Sequence, residues 1–274
     1  MTSFKKVISL GIFVWLMVPN GFSQGGLMVT PQRVIFEGRI RTQFITLVNK
    51  GKSTQTYRLF FTEKRMTEAG LLIGIDASEN GLFASPLVRF SPRQVTLDPG
   101  QSQKVILLLR PHSQLTSGEY RSHLVFQVVP ETGGHKLEVA NGEGGGLGVQ
   151  LTPLIGASIP VIVRRGDLTT KVEIAKANLE KGQDHSPAML NLTFRRIGNR
   201  SVYGDIEVQF IPNGGQVSTV GFVKGMAIYT NLEKRTITFP LHPTEYTRLE
   251  RGKLRVVYTA GHSRNVLATY EFAL

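Results

Sequence analysis

Short runs rich in Val, Ile, Leu, Phe and Thr, each cut off by Gly, Pro or Asn, follow one another along most of this sequence. Beyond the N-terminal segment, no long stretch keeps apolar residues at the spacing of an amphipathic helix. Phe44–Val48 ends at Asn49-Lys50-Gly51, and Tyr57–Phe61 follows. Val95-Thr96-Leu97 runs into Asp98-Pro99-Gly100 before Lys104–Leu109 resumes. Gly118-Glu119-Tyr120 opens Arg121–Val129, which Pro130 stops; a polar, Gly-rich stretch at 131–146 then leads into a long apolar segment, Leu147–Val163. Turn signals about every 8–12 residues are the cadence of a β-sandwich, so the chain reads as all-β.

Arg164-Arg165-Gly166-Asp167 is short, polar and contains Gly. Beyond it the rhythm restarts at Lys171–Ala175, Ala188–Arg195, Tyr203–Ile211, Arg235–Leu241, Lys253–Tyr258 and Val266–Phe272. A boundary here divides the chain into 24–165 and 166–274, each an ordinary size for a sandwich domain. So short a linker predicts two domains held as an elbow with a cleft between them.

The first residues have the layout of a secretory leader. Lys5-Lys6 forms a positive start, Val7–Val18 is an uncharged apolar run of 12 residues, and Pro19-Asn20-Gly21 breaks it. Gly21 and Ser23 supply the small residues for a cut before Gln24, so 1–23 is expected to be removed. An apolar run of 12 falls well short of the roughly 20 residues a membrane-spanning helix needs. An exported chain without a further membrane span is expected. Loss of Lys5 and Lys6 lowers the formal charge from +12 to +10, and Trp15, the one Trp, leaves with the leader.

Composition and motifs exclude most chemistry. The chain has no Cys, which removes thiolate nucleophiles, Cys-ligated metals and disulfides. The six His are scattered without metal-ligand spacing, so no metal is expected. Gly51-Lys52-Ser53 resembles the tail of a phosphate loop, but Thr46 stands where that motif needs Gly, and strands flank it. Gly144-Gly145-Gly146 precedes a strand, and no Gly-x-Ser-x-Gly elbow occurs. No enzyme activity and no cofactor are expected. Basic residues are spread out without interleaved aromatics, so nucleic acid is not an expected partner, whereas attraction to an acidic one is.

Three segments, in this order and spacing, carry a resemblance: Pro31-Gln32-Arg33-Val34-Ile35-Phe36-Glu37-Gly38, Phe90–Gly100 (FSPRQVTLDPG) and Gly118-Glu119-Tyr120-Arg121-Ser122-His123-Leu124. Together they resemble the periplasmic chaperones of the chaperone–usher pilus pathway, the P-pilus chaperone family. The likeness spans 27–165 well. It is weaker over 166–274, where Arg196-Ile197-Gly198-Asn199-Arg200-Ser201 matches best. It implies two immunoglobulin-like β-sandwich domains arranged as an elbow. It also implies a role in pilus assembly: binding incomplete pilus or fimbrial subunits, donating a β-strand to them and passing them to an outer-membrane usher. The residues bear on this independently. Leu147, Val149, Leu151 and Pro153 alternate with Gly148, Gln150 and Thr152, which puts the four on one face of a strand. Burial of four such side chains in a partner gives about 6–12 kcal/mol at most, before ordering and association costs.

The resemblance further implies two basic residues that hold the subunit's C-terminal carboxylate. The first falls on Arg33, whose guanidinium fork suits a carboxylate. The second, usually a Lys on the last strand of the first domain, falls on Ser158, and no Lys or Arg occurs between Leu147 and Val163. A hairpin bracketed by Val129-Pro130 and Leu147 places Arg121 opposite about Gly156, close to Ser158, so Arg121 is expected to take over the second role. This departure is more like the divergent, archaic branch of the family. A secreted fimbrial subunit or adhesin is the competing reading. Such chains usually carry an alternating apolar N-terminal extension and often a Cys pair, whereas Gln24–Gly26 is short and polar and Cys is absent.

Overall fold

The computed structural model describes residues 26–76, 78–79, 81–110, 115–130, 156–182, 186–243, 249–261 and 265–274. The expected leader, the Gly-rich 131–146 stretch and the alternating Leu147, Val149, Leu151 and Pro153 lie outside the described residues. All regular structure among the described residues is β-strand, and no helix there is long and apolar enough to cross a membrane.

The strands before residue 166 are β1 (Leu27–Thr30), β2 (Val34–Phe36), β3 (Thr42–Asn49), β4 (Gln55–Thr62), β5 (Lys64–Met66) and β6 (Leu72–Gly74). They continue as β7 (Val88–Ser91), β8 (Gln94–Leu97), β9 (Ser102–Leu109), β10 (Gly118–Val129) and β11 (Gly156–Arg165). A sheet in the order β1-β3-β9-β7 faces one in the order β2-β11-β10-β4-β8, while β5 and β6 form a separate hairpin. All pairings are antiparallel except the short parallel contact of β2 with β11. After residue 166 come β12 (Thr170–Glu180), β13 (Met189–Gly198), β14 (Val202–Pro212), β15 (Ser218–Ile228), β16 (Lys234–Pro240), β17 (Gly252–Ala260) and β18 (Val266–Ala273). Their sheets run β12-β13-β16 and β15-β14-β17-β18.

Alternation in the sequence becomes inside and outside in the sandwiches. In β3, Ile45 and Leu47 are fully buried while Phe44 faces water; in β14 and β17, Ile206, Val208, Leu254, Val256 and Tyr258 all point inward. Two separate cores result, one around Phe36, Leu59, Leu107, Leu124 and Phe126, the other around Leu192, Phe194, Ile206 and Tyr258. The turn signals act as expected. Asn49 is buried and staples its turn, donating from Nδ2 to Ser53 O and Leu97 O (both 2.8 Å) and accepting from Gly51 N (2.9 Å). Gly100 takes the positive φ that closes the Asp98–Gln101 turn.

The short strands β1, β2 and β7 were not among those read in the sequence, and two further features depart from it. β15 was not expected as a strand, because Gly221, Lys224 and Gly225 interrupt its alternation and its pairing with β14 shifts register twice. The β5–β6 hairpin was also unexpected, its strands being three residues each. This hairpin leaves its own sandwich: Met66 is buried in the second core, and Glu68 O accepts from Thr236 N (2.8 Å) on the edge strand β16. Asn231 Nδ2 donates to Met66 O (2.8 Å), and Lys234 pairs with Glu68 at 3.1 Å. The first sandwich thus reaches across and grips the second.

Candidate functional site

One face of the five-stranded sheet looks toward the second sandwich, and period-two geometry fixes which residues stand on it. On β10 these include Arg121 and His123, paired with Ile162 and Pro160 of β11, and on the same β11 face lies Ser158, paired with Val125. Thr62 of β4 pairs with His123, and Lys64 follows two residues later. Ile35 of β2 pairs with Ile162, and Arg33 precedes it by two. Four strands therefore converge Arg33, Lys64, Arg121 and His123 on one surface. The second sandwich contributes Tyr203, Tyr229 and Asn231.

The expected placement of Arg121 is corrected by this register. Arg121 stands opposite Ile162, not Gly156; Gly156 pairs with Gln127, and Ser158 with Val125. The strands pair six positions further along β11 than a hairpin closing at Val129-Pro130 and Leu147 allows. Lys64 is the cation that reaches Ser158, its Nζ 3.0 Å from Ser158 Oγ.

The guanidiniums are held by rings and carbonyls. Arg33 Cζ lies 3.9 Å from the Tyr203 ring centroid and 5.7 Å from that of Tyr229; Arg121 Cζ lies 3.7 Å from Tyr229. Arg121 Nη2 donates to Lys64 O (3.1 Å) and Asn231 Oδ1 (3.2 Å). Nε and Nη1 of both Arg33 and Arg121 are buried without a hydrogen-bond partner among the described residues. None of the ion pairs there joins Arg33, Lys64 or Arg121 to a carboxylate. Arg33 and Ser158 line one cleft, of about 610 Å³, with Tyr203 and Tyr229; Lys64 and Arg121 line a second, of about 390 Å³, with Asn231.

The titration of neighbouring groups registers this concentration of positive charge. Burial lowers the Arg121 pKa; Tyr229, Glu119 and Glu63 oppose the shift, and the Arg33 charge adds to it. His123 is almost fully buried, stacked edge-on to Tyr229 with its centroid 6.3 Å away, and neither ring nitrogen has a partner among the described residues. Burial first, then the charges of Arg121, Lys64 and Arg33, lower its pKa to about 3, so the imidazole is neutral at ordinary pH. Buried donors with no acceptor carry a desolvation cost.

A second charged network, a short way along the same strands, closes on itself. Arg164 is nearly buried and donates to Glu119 (Nε, 3.0 Å) and Glu37 (Nη1, 3.0 Å); Glu119 also accepts from Ser201 N (3.2 Å), and Arg200 pairs with Glu37 at 3.0 Å. Read in the sequence only as linker, Arg164 ties β2, β10 and β11 to the β13–β14 turn. Arg196 is buried and donates to the carbonyls of Gly198, Arg200, Thr230 and Leu232, which fixes that turn and the loop carrying Asn231. The Arg196–Ser201 match is thus a brace behind the cleft.

Arg33 and Arg121 were legible as candidates in the sequence. Lys64, His123, Tyr203, Tyr229 and Asn231 were not singled out. The charged run Glu63-Lys64-Arg65 directly after a strand was the one available sign, since a solvated run rarely interrupts a sheet.

No protein-family model matches this sequence, and no match is found among curated proteins. Solved structures with a similar course of the chain include the CupB2 chaperone of Pseudomonas aeruginosa, at 11% identity over 90% of this chain and 100% of that one, with a TM-score of 0.44. The YadV chaperone is 12% identical over 91% of this chain and 100% of that one, TM-score 0.44. A third is the CsuC–CsuE chaperone–tip adhesion subunit pre-assembly complex from the archaic chaperone-usher Csu pili of Acinetobacter baumannii, at 11% identity over 90% of this chain and 98% of that chain, TM-score 0.44.

Proposed function

We propose that the protein is a periplasmic chaperone of pilus assembly, which captures an incomplete pilus or fimbrial subunit at the cleft between its sandwiches. The observation that carries the reading is the pair Arg33 and Arg121. Their buried, unpartnered guanidinium nitrogens flank Tyr229, set up for an anion that the described chain does not itself supply. The subunit's C-terminal carboxylate is that anion, and each charge-assisted hydrogen bond to it contributes about 1.5–3 kcal/mol.

Strand donation fits what adjoins the site. β11 pairs along Gly156–Arg165 with β10, but with β2 only at Val161–Val163, so the other edge of Gly156–Pro160 has no strand partner among the described residues. An open edge is a template for an added strand. It begins where the alternating Leu147, Val149, Leu151 and Pro153 segment joins β11 and ends beside the cations. A subunit strand anchored by its carboxylate runs along this edge and takes the four apolar side chains into its groove. The loaded chaperone then delivers it to an outer-membrane usher. No covalent step is involved.

The test is periplasmic co-expression with candidate subunits, followed by purification through a tag on the chaperone. The parent yields a one-to-one complex. Arg33→Ala and Arg121→Ala remain folded and lose most of the bound subunit; normal recovery by both variants refutes the carboxylate anchor.

A further inference from the structure

We propose that Lys64 is a carboxylate-binding residue of this cleft, a third anchor beside Arg33 and Arg121 delivered from β5 rather than from the last strand of the sandwich. The proposal deepens the carboxylate reading above and rests on it.

The residue on either side of the peptide decides where Lys64 points. Glu63 is buried, and its carboxylate accepts from Ser122 Oγ at 2.9 and 2.8 Å; the same Oγ accepts from the amides of Ala84 and Ser85. With Glu63 clamped inward, the next side chain along an extended backbone faces outward, into the cleft. The carbonyl of Lys64 accepts from Arg121 Nη2 at 3.1 Å, so the backbone that carries one cation positions another. The Lys64 ammonium then lies 3.0 Å from Ser158 Oγ, above the strand on which no basic residue occurs from Gly156 to Val163.

An ammonium has three donors, and a hydroxyl is a weak counterpart for it. Lys64 has no acidic partner among the described residues, although Lys234, on the outer surface, pairs with Glu68 in the same hairpin region. Its charge falls on the same buried imidazole as those of Arg33 and Arg121, which places all three within one local field. Arg33 offers a planar fork and Lys64 a compact charge with free donors, a combination that holds both oxygens of a terminal carboxylate and discriminates against a neutral amide. Ser158 serves as the rest for the ammonium while the cleft is empty.

The experiment compares binding of two fluorescent ten-residue peptides of alternating Val and Thr, identical except that one ends in a free carboxylate and the other in an amide. The mature chain prefers the acid. Lys64→Ser reduces that preference roughly tenfold or more, as expected for one charge-assisted contact. The double variant Lys64→Ser/Ser158→Lys, which returns the charge from the opposite strand, recovers it. An unchanged preference in Lys64→Ser, or no recovery in the double variant, overturns the role of Lys64 while leaving the carboxylate site standing. Failure of the parent itself to favour the acid overturns both.

Discussion

A side chain held for a ligand should be dispensable for the fold, and Arg33 allows that to be tested with numbers. Its Nε and Nη1 are buried without a partner among the described residues. Each unsatisfied buried donor costs about 1–3 kcal/mol. Against this stands the stacking on Tyr203 at 3.9 Å, worth about 0.5–2 kcal/mol. Met in place of Arg keeps the apolar stem over the ring and removes both donors and the charge. Arg33→Met is therefore at least as stable as the parent, by up to about 5 kcal/mol, while subunit capture is lost. For a chain of this size each kcal/mol moves Tm by about 2–4 °C. Urea unfolding followed by circular dichroism measures the difference, with each transition fitted separately if the two cores melt apart. A second arm adds a saturating carboxylate peptide: at a hundred times Kd it stabilises the parent by about 2.7 kcal/mol and leaves the variant unmoved. An Arg33→Met protein less stable than the parent by 2 kcal/mol or more makes Arg33 a structural strut, and the argument from unpartnered donors fails.

The other expectations concern the supports of the cleft. Glu119 is completely buried beside Arg164, so Glu119→Gln leaves a nearly buried cation half-neutralised and costs about 3–5 kcal/mol in urea unfolding; Glu119→Leu with Arg164→Met recovers much of it. If Glu119→Gln unfolds with the parent, the network does not hold the sandwiches. His123 has its pKa lowered to about 3 in the fold and returns to about 6.5 on unfolding, so below pH 6.5 the unfolded chain takes up a proton the native one refuses. Stability is unaffected above that pH and falls as pH drops from 6.5 toward 3, by about 1.4 kcal/mol per unit. His123→Leu removes this slope, and the comparison of unfolding at pH 7.5 and 4.5 reads it; equal slopes in the two proteins refute the neutral, buried imidazole.

Much of the architecture was readable because burial and strand period coincide. Ile45 and Leu47, Ile206 and Val208, Leu254 and Val256 each show in sequence the alternation that the sandwiches impose. Two of the strands that escaped notice are ones in which something other than core packing sets the residues. In β15, Gly221 and Gly225 accommodate shifts of register, and in β5 a single inward residue, Met66, serves a core belonging to the other half of the chain. The cleft was half readable for the same reason. Arg33 and Arg121 lie in segments with a recognisable order of residues, whereas Lys64, Tyr203, Tyr229 and Asn231 come together only where the two sandwiches meet, a long-range event that no local pattern announces. The misplacement of Arg121 has an equally physical origin. Register between long strands is fixed by where their turn lies, and a Gly-rich connection carries no signal for its own centre.

β11 joins these observations into one device. At its C-terminal end Arg164 is locked between Glu37 and Glu119, so that part of the strand cannot slide. In its middle Ile162 and Pro160 floor the cation cluster, and at its start one edge of Gly156–Pro160 has no strand partner among the described residues. In the proposed complex a carboxylate held by Arg33, Arg121 and Lys64 fixes one end of the incoming strand against this immobile frame. Each step along an extended pair advances about 3.3 Å and reverses the face. Every apolar position of the donated segment is then assigned to a groove site by its count from the anchor. Hydrophobic burial alone is tolerant of slippage by two residues, since that returns the same face; the charge at the end of the strand removes the tolerance. In that proposed complex the cations contribute more to register than to affinity, a role for guanidinium nitrogens that have no partner among the described residues.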